Sequence, residues 1–171
     1  MSTRRPSPDE FTEYYHAYVG QVPDGNIISI LTEQHDRIVQ ILTDIPTSKE
    51  DFKYADGKWS TKEVIGHMLD TEWIFSYRTL RIARNDQTPM AAMDQDEFVR
   101  GANFDNRSLA SMTTEFSHLR SATIELVSSF DDDILDRTGT ASGYPFTVRA
   151  LVFIIAGHAE HHINVLSEKY L

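Results

Sequence analysis

Apolar residues recur every three or four positions along four long stretches of this chain, the interval of a helix with one buried face. In the first stretch Ile27, Ile30, Leu31, Ile38, Ile41 and Leu42 share that face with His35, which predicts a helix over residues 26–42. Asn26 is placed to cap it, and Pro46 ends it. Ser60-Thr61-Lys62-Glu63 is a capping box: Ser60 accepts from the Glu63 backbone while Glu63 reaches back. A second helix is expected from there to about Arg84. The third, over residues 108–129, lines up Leu109, Met112, Phe116, Leu119, Thr123, Leu126 and Phe130. The fourth starts at a Thr147 cap and runs over residues 147–169. No segment shows a convincing two-residue alternation, and residues 139–145 read as a turn. The pattern predicts an all-α four-helix bundle over residues 26–171. Residues 1–25 precede it as an N-terminal arm whose Phe11, Tyr14, Tyr15 and Tyr18 are expected to pack on the body or on a partner subunit. Residues 85–106 form a long irregular connection, uncommon inside a compact domain and often functional; it makes a plain up-down-up-down order less certain.

Composition narrows the classes. A length of 171 residues fits one domain with a real core, and 40% hydrophobic with 25% charged residues is ordinary for a globular protein. The net charge of −10, with no basic cluster, argues against a nucleic-acid partner. No run approaches the roughly 20 apolar residues of a membrane span. The N-terminus lacks the apolar centre of a secretion signal, and there is no cysteine, so a cytoplasmic location is expected. Without cysteine, any metal site must come from His, Asp and Glu.

The candidate chemistry sits in Ala156-Gly157-His158-Ala159-Glu160-His161-His162. His158 and His162 are four residues apart, which stacks two imidazoles on one helical face. Their stripe also carries Leu151, Ile154 and Val165, so it faces inward. His67 lies on a stripe with Thr71, Ile74 and Arg78. If both stripes face the bundle interior, three imidazoles converge from two helices, as bundle metal sites are built. Three neutral imidazoles suit Zn²⁺, Ni²⁺, Cu²⁺ or Fe²⁺, and three protein ligands leave positions open for water. Spacing alone leaves the alternative open that these are hydrogen-bonded core histidines. His158 is not followed by Glu, so the segment is not a zincin motif.

The stretch from Trp59-Ser60-Thr61 through Gly66-His67 to Asp70-Thr71-Glu72 resembles the first signature of the DinB/YfiT-like superfamily, and Gly157-His158-Ala159-Glu160-His161-His162 resembles its second. Tyr77-Arg78-Thr79-Leu80-Arg81, Phe98 after Asp94-Gln95-Asp96-Glu97, and Gly139-Thr140-Ala141-Ser142-Gly143 add to the likeness, which covers about residues 26–168. Ile163-Asn164-Val165 follows the final histidine where the commonest form has Arg-Gly-Gln. The resemblance implies a four-helix bundle holding a divalent metal through His67, His158 and His162, with His161 outside the first set of ligands or in reserve. It implies an enzyme acting on a small-molecule substrate: a thiol-dependent transferase using a low-molecular-weight thiol such as bacillithiol or mycothiol, an isomerase of a mycothiol-linked substrate, or a hydrolase. A homodimer is expected on the same ground. The alternative is a non-catalytic, metal-stabilised binding or stress-response module.

Other residues have competing roles. Arg78 either takes the anionic end of a substrate or, as the more ordinary expectation, pairs with Asp94 or Asp96. Asp70 and Glu72 either orient a ligand imidazole or face solvent. Glu160 is expected to point outward, His16, His35 and His118 to be ordinary polar or packing residues, and Trp59 and Trp73 to lie in the core.

Overall fold

The computed structural model describes residues 4–171. Its four long helices are α2 (Ile27–Asp44), α3 (Thr61–Ala83), α5 (Leu109–Ser128) and α7 (Val148–Lys169). The shorter ones are α1 (His16–Val19), α4 (Gln95–Ala102) and α6 (Asp132–Leu135). The starts follow the capping chemistry. Asn26 accepts from the backbones of Ile28 and Ser29, Ser108 from Ser111, and Thr147 from Ala150. At the head of α3 the box closes both ways: the Glu63 N–H donates to Ser60 Oγ at 3.1 Å, and the Ser60 N–H to Glu63 Oε2 at 2.6 Å.

In the bundle α2 packs on α5 and α7, and α3 packs on α7 and α5. The successive helices α2 and α3 therefore sit across a diagonal, which a plain up-down-up-down order does not allow. Buried apolar residues form two clusters, one around Leu31, Phe75, Leu151 and Phe153, the other around Ile38, Leu69, Phe116 and Leu166. A polar waist lies between them, contributed by Gln34, Thr71, Glu72, Arg120 and His158.

Two connections are more ordered than the pattern of the chain indicates. Residues 139–145, expected as a turn, fall within a hairpin of β1 (Thr138–Ala141) and β2 (Tyr144–Thr147). Ser142 and Gly143 have φ of 53° and 82°, the left-handed pair that a two-residue hairpin turn requires. Strands of four residues are too short to show an alternation, and Met90 adds a parallel bridge to Ala141. The connection over residues 85–106 contains α4, whose N-cap Asp94 accepts from Asp96 and Glu97.

The arm lies on the body. Residues 1–3 of it fall outside the described residues; in the remainder Phe11, Val19 and Val22 are buried. Arg5 donates to the carbonyls of Val19 and Val22 at 2.7 and 2.6 Å, tying the arm's start to its end. α1 packs along α7, where a Cβ on Gly157 would stand 2.1 Å from the Tyr18 carbonyl oxygen. Only glycine permits that approach, one residue before His158. Gly66, one residue before His67, likewise meets the Phe104 ring, with 2.4 Å available to a Cβ. Trp73 is 54% exposed, contrary to its expected place in the core, and its indole N–H donates to Glu115. Among the described residues no helix is long and apolar enough to cross a membrane.

Candidate metal centre

α3 and α7 pack along each other, and the two inward stripes meet at the waist. His67 on α3 is 3% exposed and His158 on α7 7%, with His162 half-buried one turn further on. One ligand atom from each lies within 4.8 Å of the others, the only such group among the described residues. The His158 Nε2 stands 3.1 Å from the Nε2 of His67 and 3.1 Å from that of His162. Nitrogens bound to one ion at about 2.0–2.1 Å lie roughly 3–3.4 Å apart, so both separations fit a shared cation.

Hydrogen bonding alone satisfies the arrangement poorly. A ring nitrogen offers one proton or one in-plane lone pair. The His158 Nε2 can therefore make one good bond with its two imidazole neighbours, and the other contact is left without a proper partner. A divalent ion removes that conflict, because it accepts all three lone pairs. The donor set is right for it: three neutral imidazoles, two buried and one half-buried, and no thiolate.

The rings are held neutral. Burial pushes the His67 pKa down to about 4, against a weaker upward pull from Asp96. Burial, then His67 and His161, bring His162 down to about 3. Burial lowers His158 well below the usual value, reinforced by the other histidines and by Arg120. Each native pKa lies below the unfolded value near 6.5, so below that pH the unfolded chain binds more protons than the native one. The metal-free protein is therefore expected to keep its stability above pH 6.5 and to lose a few kcal/mol as pH falls from about 6.5 to 4. Denaturant melts of chelator-treated protein across that range check this, and a flat profile would contradict the buried neutral rings.

The neighbours differ from the sequence expectation in several places. The Thr71 hydroxyl, one turn along α3, sits 3.4 Å from the His67 Nδ1, and the Trp59 ring lies 4.9 Å from the His67 ring. Neither nearby carboxylate orients a ligand. Glu72 is taken by Arg120 in a two-pronged ion pair at 2.6 and 2.8 Å. Asp70 is half-buried, and burial and Glu115 raise its pKa despite Arg107. Glu160 does not point freely to solvent: it accepts from Gln34 and pairs with Arg37. His161 stands outside the three-nitrogen group, with its ring against Tyr18 and His162. His35 bonds Ser117 and Asp36 on the far side of the bundle.

Two cavities reach the histidines. One, of about 210 Å³, is walled by Tyr14, Tyr15 and Tyr18 of the arm and touches His67 and His158. The other, of about 480 Å³, touches His161 and His162 and is bordered by Tyr54, Trp59 and Lys169. Gln95, at the start of α4, borders both. A larger groove of about 530 Å³ runs between α2 and α5, away from this chemistry. In the sequence the tyrosine wall shows only as an aromatic arm that packs on the body or on a partner subunit. The surface it covers could not be read from the chain.

These features define a four-helix bundle with a buried three-histidine centre between its second and last long helices. The family model of the DinB superfamily matches residues 30–166, and the chain belongs to that superfamily. Among solved structures it is similar to YfiT from Bacillus subtilis, described as a probable metal-dependent hydrolase with an unusual four-helix bundle topology. The TM-score is 0.76 at 17% identity, covering 98% of this chain and 92% of that one. It is also similar to the mycothiol-dependent maleylpyruvate isomerase, with a TM-score of 0.67 at 11% identity, covering 85% of this chain and 61% of that one. At these identities the likeness is one of fold. No match was found among curated proteins.

Proposed function

We propose that the protein is a metal-dependent enzyme acting on a small molecule, as a thiol-dependent S-transferase or a hydrolase, with His67, His158 and His162 holding a divalent ion. The observation that carries this is the convergence of three Nε2 atoms, from two buried histidines and one half-buried one, whose rings border two cavities. A purely structural ion needs no access, whereas here the ligands border open space on two sides. When bound, such an ion acts as a Lewis acid and lowers the pKa of a ligated water or thiol.

The chain's own groups then bind and orient. With three protein ligands the coordination shell stays open to a reactant. Burial and Arg78 act in opposite directions on Tyr15, with burial prevailing, and burial with the Tyr14 hydroxyl pushes Tyr18 well up. Both hydroxyls therefore stay protonated at neutral pH and serve as donors on the arm side of the cavity. No carboxylate lines that cavity, but Asp96 lines the other one, and its charge acts on His67. Two cavities that border the same histidine group give room for a thiol and an electrophile together, which favours transfer over hydrolysis.

The test is a paired panel on zinc- and nickel-loaded protein. Low-molecular-weight thiols are offered with electrophiles in one arm, and esters and amides without thiol in the other. Metal-dependent turnover in the first arm is expected. Silence in both arms with a full complement of metal would end the enzymatic reading.

A further inference from the structure

Three arginines of this molecule are buried: Arg78, Arg120 and Arg149. Arg120 is neutralised by Glu72 and Arg149 by Asp136, which donates no proton and accepts from it at 2.7 Å. Arg78, 4% exposed, has no carboxylate partner among the described residues. The acids beside α4 that were expected to take it do not: Asp94 caps α4 instead. The Arg78 guanidinium donates to the Ala91 carbonyl at 2.8 Å and to the Ser142 hydroxyl at 3.0 Å, with Tyr15 beside it and the Phe75 ring 5.5 Å away. These neighbours satisfy donors but leave the positive charge unbalanced. An uncompensated buried cation is costly, and here burial depresses its pKa.

The location gives the charge a use. Arg78 lines the same cavity as His67 and His158, and no acid lines it. Arg78 lies three turns along α3 from His67, roughly 16 Å of helix axis. Helical side chains lean back towards the N-terminus, so the guanidinium reaches towards the histidines from the far end of the cavity. Ala91 and Ser142 hold the fork from the 85–106 connection and from the hairpin turn, two segments also joined by the Met90–Ala141 bridge and by Gln87, which donates to the Thr138 carbonyl.

We propose that Arg78 is the subsite for the oxyanion of a small substrate, a carboxylate or a phosphate, whose other end reaches the His67, His158 and His162 centre. The proposal rests on the metal-centre reading for the reacting end only. A planar guanidinium binds either oxyanion through two parallel N–H donors, and the Tyr15 hydroxyl supplies a further donor beside it. Substrate specificity then comes from distance: the oxyanion and the reacting atom must be separated by the length of the cavity.

The experiment measures calorimetric binding of 6-mercaptohexanoate, its neutral amide and 6-mercaptohexyl phosphate to metal-loaded protein and to chelator-treated protein. The thiol end serves the metal and the other end serves Arg78. Loaded wild type is expected to bind the acid or the phosphate at least about tenfold more tightly than the amide, the worth of one charge-assisted hydrogen bond. Arg78→Gln is expected to bind all three alike, and Arg78→Lys to keep part of the preference. The two readings fail separately. Without metal all three probes weaken, but the preference for the oxyanion persists if Arg78 is the subsite. If metal makes no difference to any probe while the preference remains, the metal centre fails and the anion subsite stands. Equal binding of acid, phosphate and amide by wild type overturns the proposal, whether or not the Arg78 variants fold. So does a preference that survives in folded Arg78→Gln, since Arg78 is then structural.

Discussion

His158→Ala is expected to reduce the metal content of purified protein from about one ion per chain to less than roughly a tenth of that. The reason is positional. The His158 Nε2 is the nitrogen that both others approach, at 3.1 Å each. Removing it leaves His67 and His162 on different helices with no bridging donor, and two imidazoles hold an ion far more weakly than three. His161 is the natural control, because it lies one residue from His162 in sequence and outside the three-nitrogen group. His161→Ala is expected to keep its metal. Added zinc or nickel is expected to raise the melting temperature of wild type and of His161→Ala, since a ligand that binds only the native state stabilises it, and to leave His158→Ala unmoved. Elemental analysis of protein made without a metal-affinity tag reads the result directly. Wild type that stays metal-free after incubation with either ion would leave three core histidines and no centre.

The ease of that prediction reflects which parts of this molecule are local. Asn26, Ser60 and Thr147 announce helix starts because a cap is a contract between residues two or three apart, and all three are kept. The inward stripes of α3 and α7 are set by the helical repeat alone. What the chain hides is long-range or short. The hairpin escapes notice because strands of four residues leave too few positions for an alternation, although Ser142-Gly143 carries the turn. α4 escapes because its eight residues bury one side chain, Val99, although Asp94 marks its start. Trp73 is misplaced by the assumption that a large aromatic seeks the core; its position on α3 faces outward and its indole finds Glu115. The partner of Arg78 is a matter of which loops fold over the end of α3, and its two acceptors, 13 and 64 residues away, leave no trace in local pattern. The same holds for Glu72, whose partner on α5 is 48 residues distant.

That last pair carries the second large effect. Glu72→Ala is expected to cost about 3–5 kcal/mol of stability, the usual consequence of stripping one partner from a buried ion pair. Arg120 is fully buried, and its guanidinium holds both Glu72 oxygens while donating at 2.6 Å to Gln34. Gln34 in turn donates to the Ala156 carbonyl of α7 at 2.9 Å. The chain of contacts therefore joins α3, α5, α2 and α7 across the polar waist, between the two apolar clusters. With Glu72 gone, a whole positive charge remains in the interior, beside a centre meant for a cation. Arg120 already acts on His158 through space, lowering its pKa. Unbalanced, the same charge opposes a divalent ion there, so metal affinity is expected to fall along with stability. Replacing both partners, as Glu72→Leu with Arg120→Met, removes the stranded charge and is expected to recover most of the loss, because well-packed apolar groups often match a buried ion pair. Denaturant melts of the three variants, each with and without zinc, separate the two effects. A Glu72→Ala protein within about 1 kcal/mol of wild type would mean that water reaches Arg120 and that the Glu72–Arg120 pair does not hold the waist together.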